Sequence, residues 1–562
     1  MKKITLTLFF AAAIISPFYA QVANASLDIN SVKAMINSNG DLFWDYSSAK
    51  FEVPKGNGTN TIFAGAMWVG GMDAGSQLHL GAQTYRQTGN DFFSGPVLNP
   101  PSYSAGYDAA WNKVWKINKT MIDSFRLGLY GSNIPAQIIN WPGNGNTAQG
   151  EPGMLADFID INGDGAYDPS TGDYPCIKGD QAVLVIFNDD RNVHTETGGQ
   201  KLGFEFHAML YAYKSPGTWL DSVVFLNYKM YNRSSETYTN AYLGSFMDFD
   251  IGAYDDDYIG CDVGRNIFYS YNGDANDGTS SIPALGTYGA NPPAEGVVFL
   301  HGPQADTADG IDNNRDGFID EPGEANMMSK FVYYNNDFTA TGNPVSATDH
   351  YYYMKGLWKD GTPLTYGGNG YGGSTPCDFM FPGDSDPIGW GVGGTPSAPA
   401  PQAPWSETAT PSDRRGMASS GPFTIQPGQE MCIDLGFVYG RGNNGPMSSV
   451  DVMRHNADSA RAFYLAHNPC TCVINPLSVN EISNQLLVQF YPNPASDNVT
   501  VLYNPENGNA KLEIYDMTGK MIGAQTISKA STVVDLKAFS PGIYTIRITD
   551  GKSSGAARIL KQ

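Results

Sequence analysis

Two short segments of this chain carry oxygen ligands at a spacing that suits calcium. "DINGDGAYD" sets Asp160, Asn162 and Asp164 at alternate positions, followed by Gly165 for the turn, the main-chain carbonyl of Ala166 and the carboxylate of Asp168. "DNNRDGFID" repeats the series with Asp312, Asn314, Asp316, Gly317, the carbonyl of Phe318 and Asp320. Calcium takes six to eight hard oxygens in flexible geometry, and short Asp and Asn side chains around a tight turn supply them. Both segments lack the glutamate that closes an EF-hand. Thr171 and Gly323 stand in its place, with Asp173, Glu321 and Glu324 close enough in sequence to compensate. Pro169 and Pro322 argue against flanking helices. The expected cofactor is structural Ca2+ stiffening long loops, and the alternative is a pair of solvated Asx turns.

A third acidic stretch, "MDFDIGAYDDDYIGCD", offers different chemistry. If "FMDFD" is a strand, Asp248 and Asp250 share one face, with Asp255, Asp256, Asp257 and Asp262 following. Paired carboxylates can act as acid and base on a glycosidic bond, can hold a further calcium, or can be solvated. No other catalytic signature accompanies them: there is no HExxH, no GxSxG elbow of the α/β-hydrolase kind, no P-loop and no helix-opening GxGxxG. The histidines are scattered, and His207 in the alternating "GFEFHAML" reads as packed or surface-facing. Trp68, Trp111, Trp115, Trp141, Trp358 and Trp390 could stack on sugar rings, although large aromatics in a β protein are more often core.

The elements that must position these groups are mostly strands. Glycine (64), proline (35), tyrosine (32) and phenylalanine (28) are abundant and only 16% of residues are charged, a balance that favours β structure with long loops. "KLGFEFHAMLYAYK", "LDSVVFLNYKMYNRSS" and "GQEMCIDLGFVYGRG" read as strands between turn residues. One helix is expected at "SSVDVMRHNADSARAFYLAH", with Ser448 and Asp451 as a capping box and Val450, Met453, Ala457, Ala460 and Tyr464 as its apolar stripe. The Gly/Pro-rich run from Thr365 to Asp413 reads as exposed loop. The fold class is therefore mainly β: a large β-sandwich-type body with long loops.

A formal net charge of −22 excludes nucleic acid as the expected partner. The charge belongs to the body, since the tail from Asn484 carries eight Lys/Arg against six Asp/Glu. The first 20 residues, "MKKITLTLFFAAAIISPFYA", have the basic start and short apolar run of a secretory signal peptide, with cleavage after Ala20 or Ala25. No transmembrane helix is expected, because no later run reaches roughly 18 apolar residues. Six cysteines, Cys176, Cys261, Cys377, Cys432, Cys470 and Cys472, permit up to three structural disulfides in an exported chain. The organisation expected is a leader at 1–20, a β-rich cargo body at 26–468 with a subdomain break near 150–180, a linker at 469–486 and a small β-domain at 487–562.

That last domain holds Tyr491-Pro492-Asn493-Pro494, the "IYDMTGKMI" hairpin from Ile514 to Ile522, "SPGIYTIRI" from Ser540 to Ile548, and a basic final strand ending Lys561-Gln562. These ordered motifs resemble the type A sorting domain of the type IX secretion system of the Bacteroidota. The resemblance implies an immunoglobulin-like β-sandwich that serves as an address. Such a tail directs a periplasmic chain across the outer membrane and is removed, leaving the cargo released or attached to surface lipopolysaccharide. The body segments "FEVPKGNGTNTIFAGAMWVGG" and "DDYIGCDVGRNIFYSYNGD" look like parts of a broad group of uncharacterised secreted Bacteroidota proteins, which brings no activity with it. Both aspartate loops loosely resemble dockerin and thrombospondin type 3 loops. The function expected is a secreted or cell-surface, calcium-stabilised binding or structural protein, adhesin-like or matrix-like, with a glycan or protein ligand. The alternative is a glycosidase or other polysaccharide-active enzyme working through Asp248 and Asp250.

Overall fold

The structure, a computed structural model, describes residues 22–85, 89–278, 286–467, 488–491, 495–503, 509–516, 520–528, 531–549 and 554–562. The expected leader and linker lie outside the described residues. The chain divides into two compact units, Met1–Cys472 and Val473–Gln562.

The first unit is built on two large antiparallel sheets. One has nine strands, running in the order Asp257–Asp262, Ile267–Asn272, Ala294–His301, Glu430–Gly440, Val223–Asn232, Phe204–Ala212, Gln181–Asn188 and Phe93–Ser94, with Trp115–Asn118 also paired to Gln181–Asn188. The other has eight, ordered Asn24–Leu27, Lys33–Asn37, Phe51–Glu52, Asn60–Met72, Tyr238–Phe249, Arg414–Ile425 and Met328–Asn335, with Leu78–Gly81 against Asn60–Met72.

The nine-stranded sheet is buried on both faces, and its sequences show why. Strand side chains alternate between faces. In Gln181–Asn188, Val183, Val185 and Phe187 join the core shared with the eight-stranded sheet, while Ala182 and Leu184 join a second core. Phe204–Ala212 and Val223–Asn232 divide in the same way, with Met209, Tyr211, Val223 and Phe225 on the second side. A strand covered on both faces must be apolar at successive positions, which is what "QAVLVIF" shows. The inter-sheet core is rich in rings, including Phe43 against Phe437 at 4.8 Å, Phe204 against Tyr238 at 5.4 Å and Phe268 against Phe331 at 5.6 Å.

Helix Gly445–His467 covers the second face with Val450, Met453, Ala457, Ala460 and Tyr464, all buried in that core. The stripe falls where the sequence places it, but the helix begins earlier. Gly445, at φ 73°, donates its N–H to Asn291 Oδ1 at 3.0 Å. Ser448 thus lies inside the helix, accepting from the Asn444 N–H at 3.0 Å, and is not its cap. Four shorter helices, Ala105–Trp111, Lys119–Arg126, Ala136–Ile139 and Ala347–Met354, lack a long apolar stripe and are not expected from sequence.

The run from Thr365 to Asp413 corrects another expectation. It forms little regular structure, yet Cys377, Phe379, Met380, Phe381 and Trp405 are buried in the inter-sheet core. A bridge between Phe331 and Phe379 lays the run along a sheet edge, and its glycines and prolines turn the chain so that these side chains reach inward. Cys261 and Cys377 are free and buried, so of the up to three disulfides that six cysteines permit no more than two can form; Cys176 and Cys432 are each disulfide-bonded.

The second unit packs a three-stranded sheet, Val488–Tyr491, Asn498–Tyr503 and Ser531–Asp535, and a four-stranded sheet, Met521–Ile527, Ala510–Tyr515, Gly542–Thr549 and Ser554–Lys561. Val499, Val501, Leu512, Ile514, Ile546, Ile548 and Ile559 form its own core. Among the described residues no helix is long and apolar enough to cross a membrane.

Candidate functional site

Asp248 is the last residue but one of the long strand Tyr238–Phe249, directly across from Arg415 on its antiparallel neighbour Arg414–Ile425. Asp250 follows just past the strand end and Asp413 just precedes the neighbouring strand, so adjacency of two strands gathers three carboxylates. Among the described residues, these three are the one group of His, Cys, Asp or Glu side chains whose ligand atoms all lie within 4.8 Å of one another. Asp413 and Arg415 were missed by sequence reasoning, because Arg415 stands 167 residues from Asp248.

Arg415 organises the cluster. Its Nε is 3.1 Å from Asp248 Oδ1 and its Nη1 is 2.6 Å from Asp413 Oδ1. The guanidinium lies over the Tyr85 ring at 4.7 Å, and Asn336 Nδ2 donates to Asp413 Oδ2 at 2.7 Å. Both Asp248 and Arg415 are 2% exposed. Gly416, the next residue, lets the nine-stranded sheet pack closely against this strand: a Cβ there would stand 2.8 Å from Ile259 Cδ1 and 3.0 Å from Phe268. Burial opposes the charge on Arg415, but Asp248 and Asp413 outweigh it and raise its pKa further. Loss of solvation, with the Asp248 and Asp413 charges beside it, pushes the half-buried Asp250 carboxyl well above the usual range.

The remaining acids of the stretch disperse. Asp255 and Asp256 lie in the turn, and strand Asp257–Asp262 carries Asp257 and Asp262 at its two ends. Asp257 accepts the Ile251 N–H at 2.9 Å, and Asp262 pairs with Arg265 at 3.1 Å and Arg454 at 3.0 Å.

In the first aspartate loop, Asp160 accepts N–H groups from Gly163 at 2.6 Å and Gly165 at 2.8 Å. Asn162 accepts from Asp164 at 3.1 Å, and Asp164 from Ala166 at 2.8 Å. Asp168 accepts from Ser170, also at 2.8 Å. Fully buried Asp173 braces the loop from beneath, taking the Ile161 and Asp168 N–H groups at 2.8 Å each. The second loop follows the same plan. Asp312 accepts from Asp316 at 3.1 Å and Gly317 at 2.9 Å, and Asp316 accepts from Phe318 at 3.0 Å. Asn314 accepts from Asp316 at 2.8 Å. Buried Glu324 accepts from the Asn313 and Asn314 N–H groups. Asp320 takes the Gly310 N–H at 3.2 Å.

Gly165 and Gly317 both hold positive φ, 77° and 98°, at the turn. Arg315 pins the second loop to the body by donating to the Met328 carbonyl at 2.8 Å and the Val263 carbonyl at 3.1 Å. Neither loop brings three carboxylates as close together as the Asp248 cluster does. The second loop nevertheless suits a cation on one further observation: Glu321 Oε2 is buried with no hydrogen-bond partner. If calcium binds, Asp160, Asn162, Asp164, Asp168 and the Ala166 carbonyl are its holders in one loop. Asp312, Asn314, Asp316, Asp320, Glu321 and the Phe318 carbonyl hold it in the other.

The aromatic and histidine candidates are packed. Trp68, Trp141 and Trp358 are buried, while Trp111, Trp115 and Trp390 are half-buried. His207 is buried with its Nε2 3.0 Å from Glu205 Oε1, and Arg233 closes that group at 2.7 Å.

Residues 489–562 match the family model described as the secretion system C-terminal sorting domain. No curated protein matches the chain. Among solved structures, one similar over a short stretch is PorZ, a bacterial surface component of the type IX secretion system of Porphyromonas gingivalis. Identity there is 25%, coverage 13% of this chain and 11% of that one, and the TM-score 0.11. A second is a polysaccharide lyase, at 9% identity, covering 64% of this chain and 34% of that one, with a TM-score of 0.21. The chain thus spans less than two thirds of either structure. The tail of this chain is a type IX secretion sorting domain, and the protein is exported to the cell surface or the extracellular space.

Proposed function

We propose that the exported body is a calcium-stiffened β-rich binding or structural protein, adhesin-like or matrix-like. The observation that carries this reading is the buried Asp248–Arg415 pair, closed on its outer side by half-buried Asp413. A carboxylate enclosed beside a guanidinium, at 2% exposure, acts as a strut between two strands and not as a base open to substrate. The two aspartate loops add support, since each is already folded around its first aspartate with an acid braced behind it. Calcium there stabilises loops that have little core of their own. In this reading the tail engages the secretion machinery, the mature body is released or attached to surface lipopolysaccharide, and its ligand is a glycan or a protein.

One observation favours the alternative, a polysaccharide-active enzyme. Asp250, its carboxyl pushed well above the usual range by burial, stands beside Asp248 with carboxylate oxygens within 4.8 Å, and a pair of neighbouring carboxyl groups is what glycoside hydrolysis uses. Metal analysis separates the two. The binding reading expects about two calcium ions per purified body, with Asp160→Ala and Asp312→Ala each removing one. No bound calcium, together with glycan cleavage that depends on Asp250, contradicts it.

A further inference from the structure

Between the second aspartate loop and the turn at 393–397 lies a cleft of about 480 Å³, with Lys330, Asp378 and Trp390 in its lining. We propose that this cleft is a subsite for a neutral sugar ring, stacked on Trp390 and held through two adjacent hydroxyls by Lys330 and Asp378. The assignment rests on the reading of the body as a binding protein and names the class of ligand it takes.

Backbone pairing brings the three residues together. Lys330 lies on Met328–Asn335, the edge strand of the eight-stranded sheet. The Phe331 N–H donates to the Asp378 carbonyl at 2.9 Å, which sets Asp378 beside Lys330. The Asp378 N–H donates in turn to the Gly391 carbonyl at 2.8 Å, which sets Trp390 beside Asp378. Trp390 opens a single tight turn, Trp390–Val392, flanked by Gly389 and Gly393 at φ 78° and 83°. Asp386 fixes that turn, accepting the N–H groups of Gly389 at 3.0 Å and of Trp390 and Gly391 at 2.8 Å each. The indole is therefore held in place before a ligand arrives, which lowers the ordering cost of binding.

Trp390 stands apart from the other tryptophans. It is half-buried and packs at one side against the inter-sheet core. Among the described residues it is the one tryptophan with neither an aromatic ring in contact nor a hydrogen bond from its Nε1–H, and that N–H is open to solvent. A ring with an apolar body and an unused polar tip is what a sugar meets with its C–H face and a hydroxyl.

The ion pair supplies the rest. Lys330 Nζ is 2.5 Å from Asp378 Oδ1, and the two side chains are 19% and 40% exposed. Such a pair presents ammonium donors next to carboxylate acceptors. A hydroxyl both donates and accepts, so two neighbouring sugar hydroxyls can accept from Lys330 and donate to Asp378 without separating them. Charge in the lining balances, Arg315 and Lys330 against Asp312 and Asp378, which suits an uncharged ligand. Arg315 is itself turned into the body, on the Met328 and Val263 carbonyls. The volume falls within the roughly 300–1,000 Å³ typical of small-molecule sites.

The test is saturation-transfer NMR and calorimetry on the full chain. The probes are the methyl glycosides of glucose, galactose, mannose and N-acetylglucosamine, with cyclohexylmethanol as a ring that lacks adjacent hydroxyls. At least one glycoside is expected to bind, and cyclohexylmethanol is not. Trp390→Ala removes the platform and is expected to weaken binding about tenfold. Asp378→Ala takes away an accessible acceptor whose ion pair contributes little to folding, and is expected to cost about fivefold. If Trp390→Ala fails to fold, Asp378→Ala decides. The proposal is overturned if no glycoside binds the wild type, if cyclohexylmethanol binds as well as the glycosides, or if the folded variants bind sugar as the wild type does. Retention on immobilised polysaccharides and on protein ligands is scored in parallel. Equal retention of the wild type and both variants on polysaccharide refutes the cleft alone. Retention on protein only, lost in Trp390→Ala, assigns the cleft to a peptide and overturns the sugar. Absent retention of the wild type on every ligand refutes the binding reading itself.

Discussion

Replacing Arg415 by methionine removes the cation shared by Asp248 and Asp413 while keeping the length of the side chain. Three carboxylates with oxygens within 4.8 Å would then face one another without a guanidinium. Stranding one partner of a buried pair costs about 3–5 kcal/mol, and the 2% exposure of both Arg415 and Asp248 places this pair in that class. Asp248→Asn should cost less, about 1–3 kcal/mol, since Arg415 retains Asp413 at 2.6 Å. In the double variant the stranded charge at Asp248 is gone, so its cost should fall short of the sum of the two single changes. Urea unfolding followed by tryptophan fluorescence measures all four proteins, with the slope expected unchanged. A cost below about 1 kcal/mol for Arg415→Met, the range of an exposed pair, would refute the strut.

Other consequences follow from the same structure. Glu295 is buried with Oε2 accepting the Thr61 hydroxyl at 2.9 Å, and loss of solvation pushes its carboxyl up to about 8. The folded state therefore holds a proton that the unfolded state has released, so stability should fall as pH rises from about 4.5 to about 8. Asp277, raised to about 6, adds to that fall at the acid end. Thermal melts across this range should show a shallower loss for Glu295→Gln than for the wild type. Limited proteolysis with mass spectrometry should show calcium protecting both aspartate loops, with Asp312→Ala abolishing protection at the second loop only. Met453→Ala, at a fully buried position where the helix meets the nine-stranded sheet, should cost about 2–5 kcal/mol. A chain truncated before residue 489 should fail to leave the cell, as cell fractionation would show.

What was legible beforehand follows from how local each signal is. The strands around "FEFHAML", "SVVFLNYKM" and "CIDLGFVY" could be read because side-chain alternation is written in consecutive residues. The stripe of helix Gly445–His467 could be read because 3.6-residue spacing is local as well. The sorting tail was legible through several ordered motifs within one short domain. Arg415 was not, because antiparallel pairing brings it to Asp248 across a large gap in sequence that no periodicity records. The Thr365–Asp413 run misled because Gly and Pro report the absence of regular structure, and say nothing about whether the aromatic residues between them are buried. The acids bracing the aspartate loops, Asp173 and Glu324, were within reach, since both lie just beyond the position where an EF-hand would carry its glutamate.

The most direct test of the central claim incubates the full chain and its Asp248→Asn and Asp250→Asn variants with a polysaccharide panel in millimolar calcium, scoring retention and released product separately. The account predicts that no panel member yields product, that any retention survives both substitutions in proteins that remain folded, and that Asp248→Asn shows its effect as lost stability. Product released by the wild type and abolished in a fully folded Asp248→Asn or Asp250→Asn protein would contradict it and make the acidic cluster an active site.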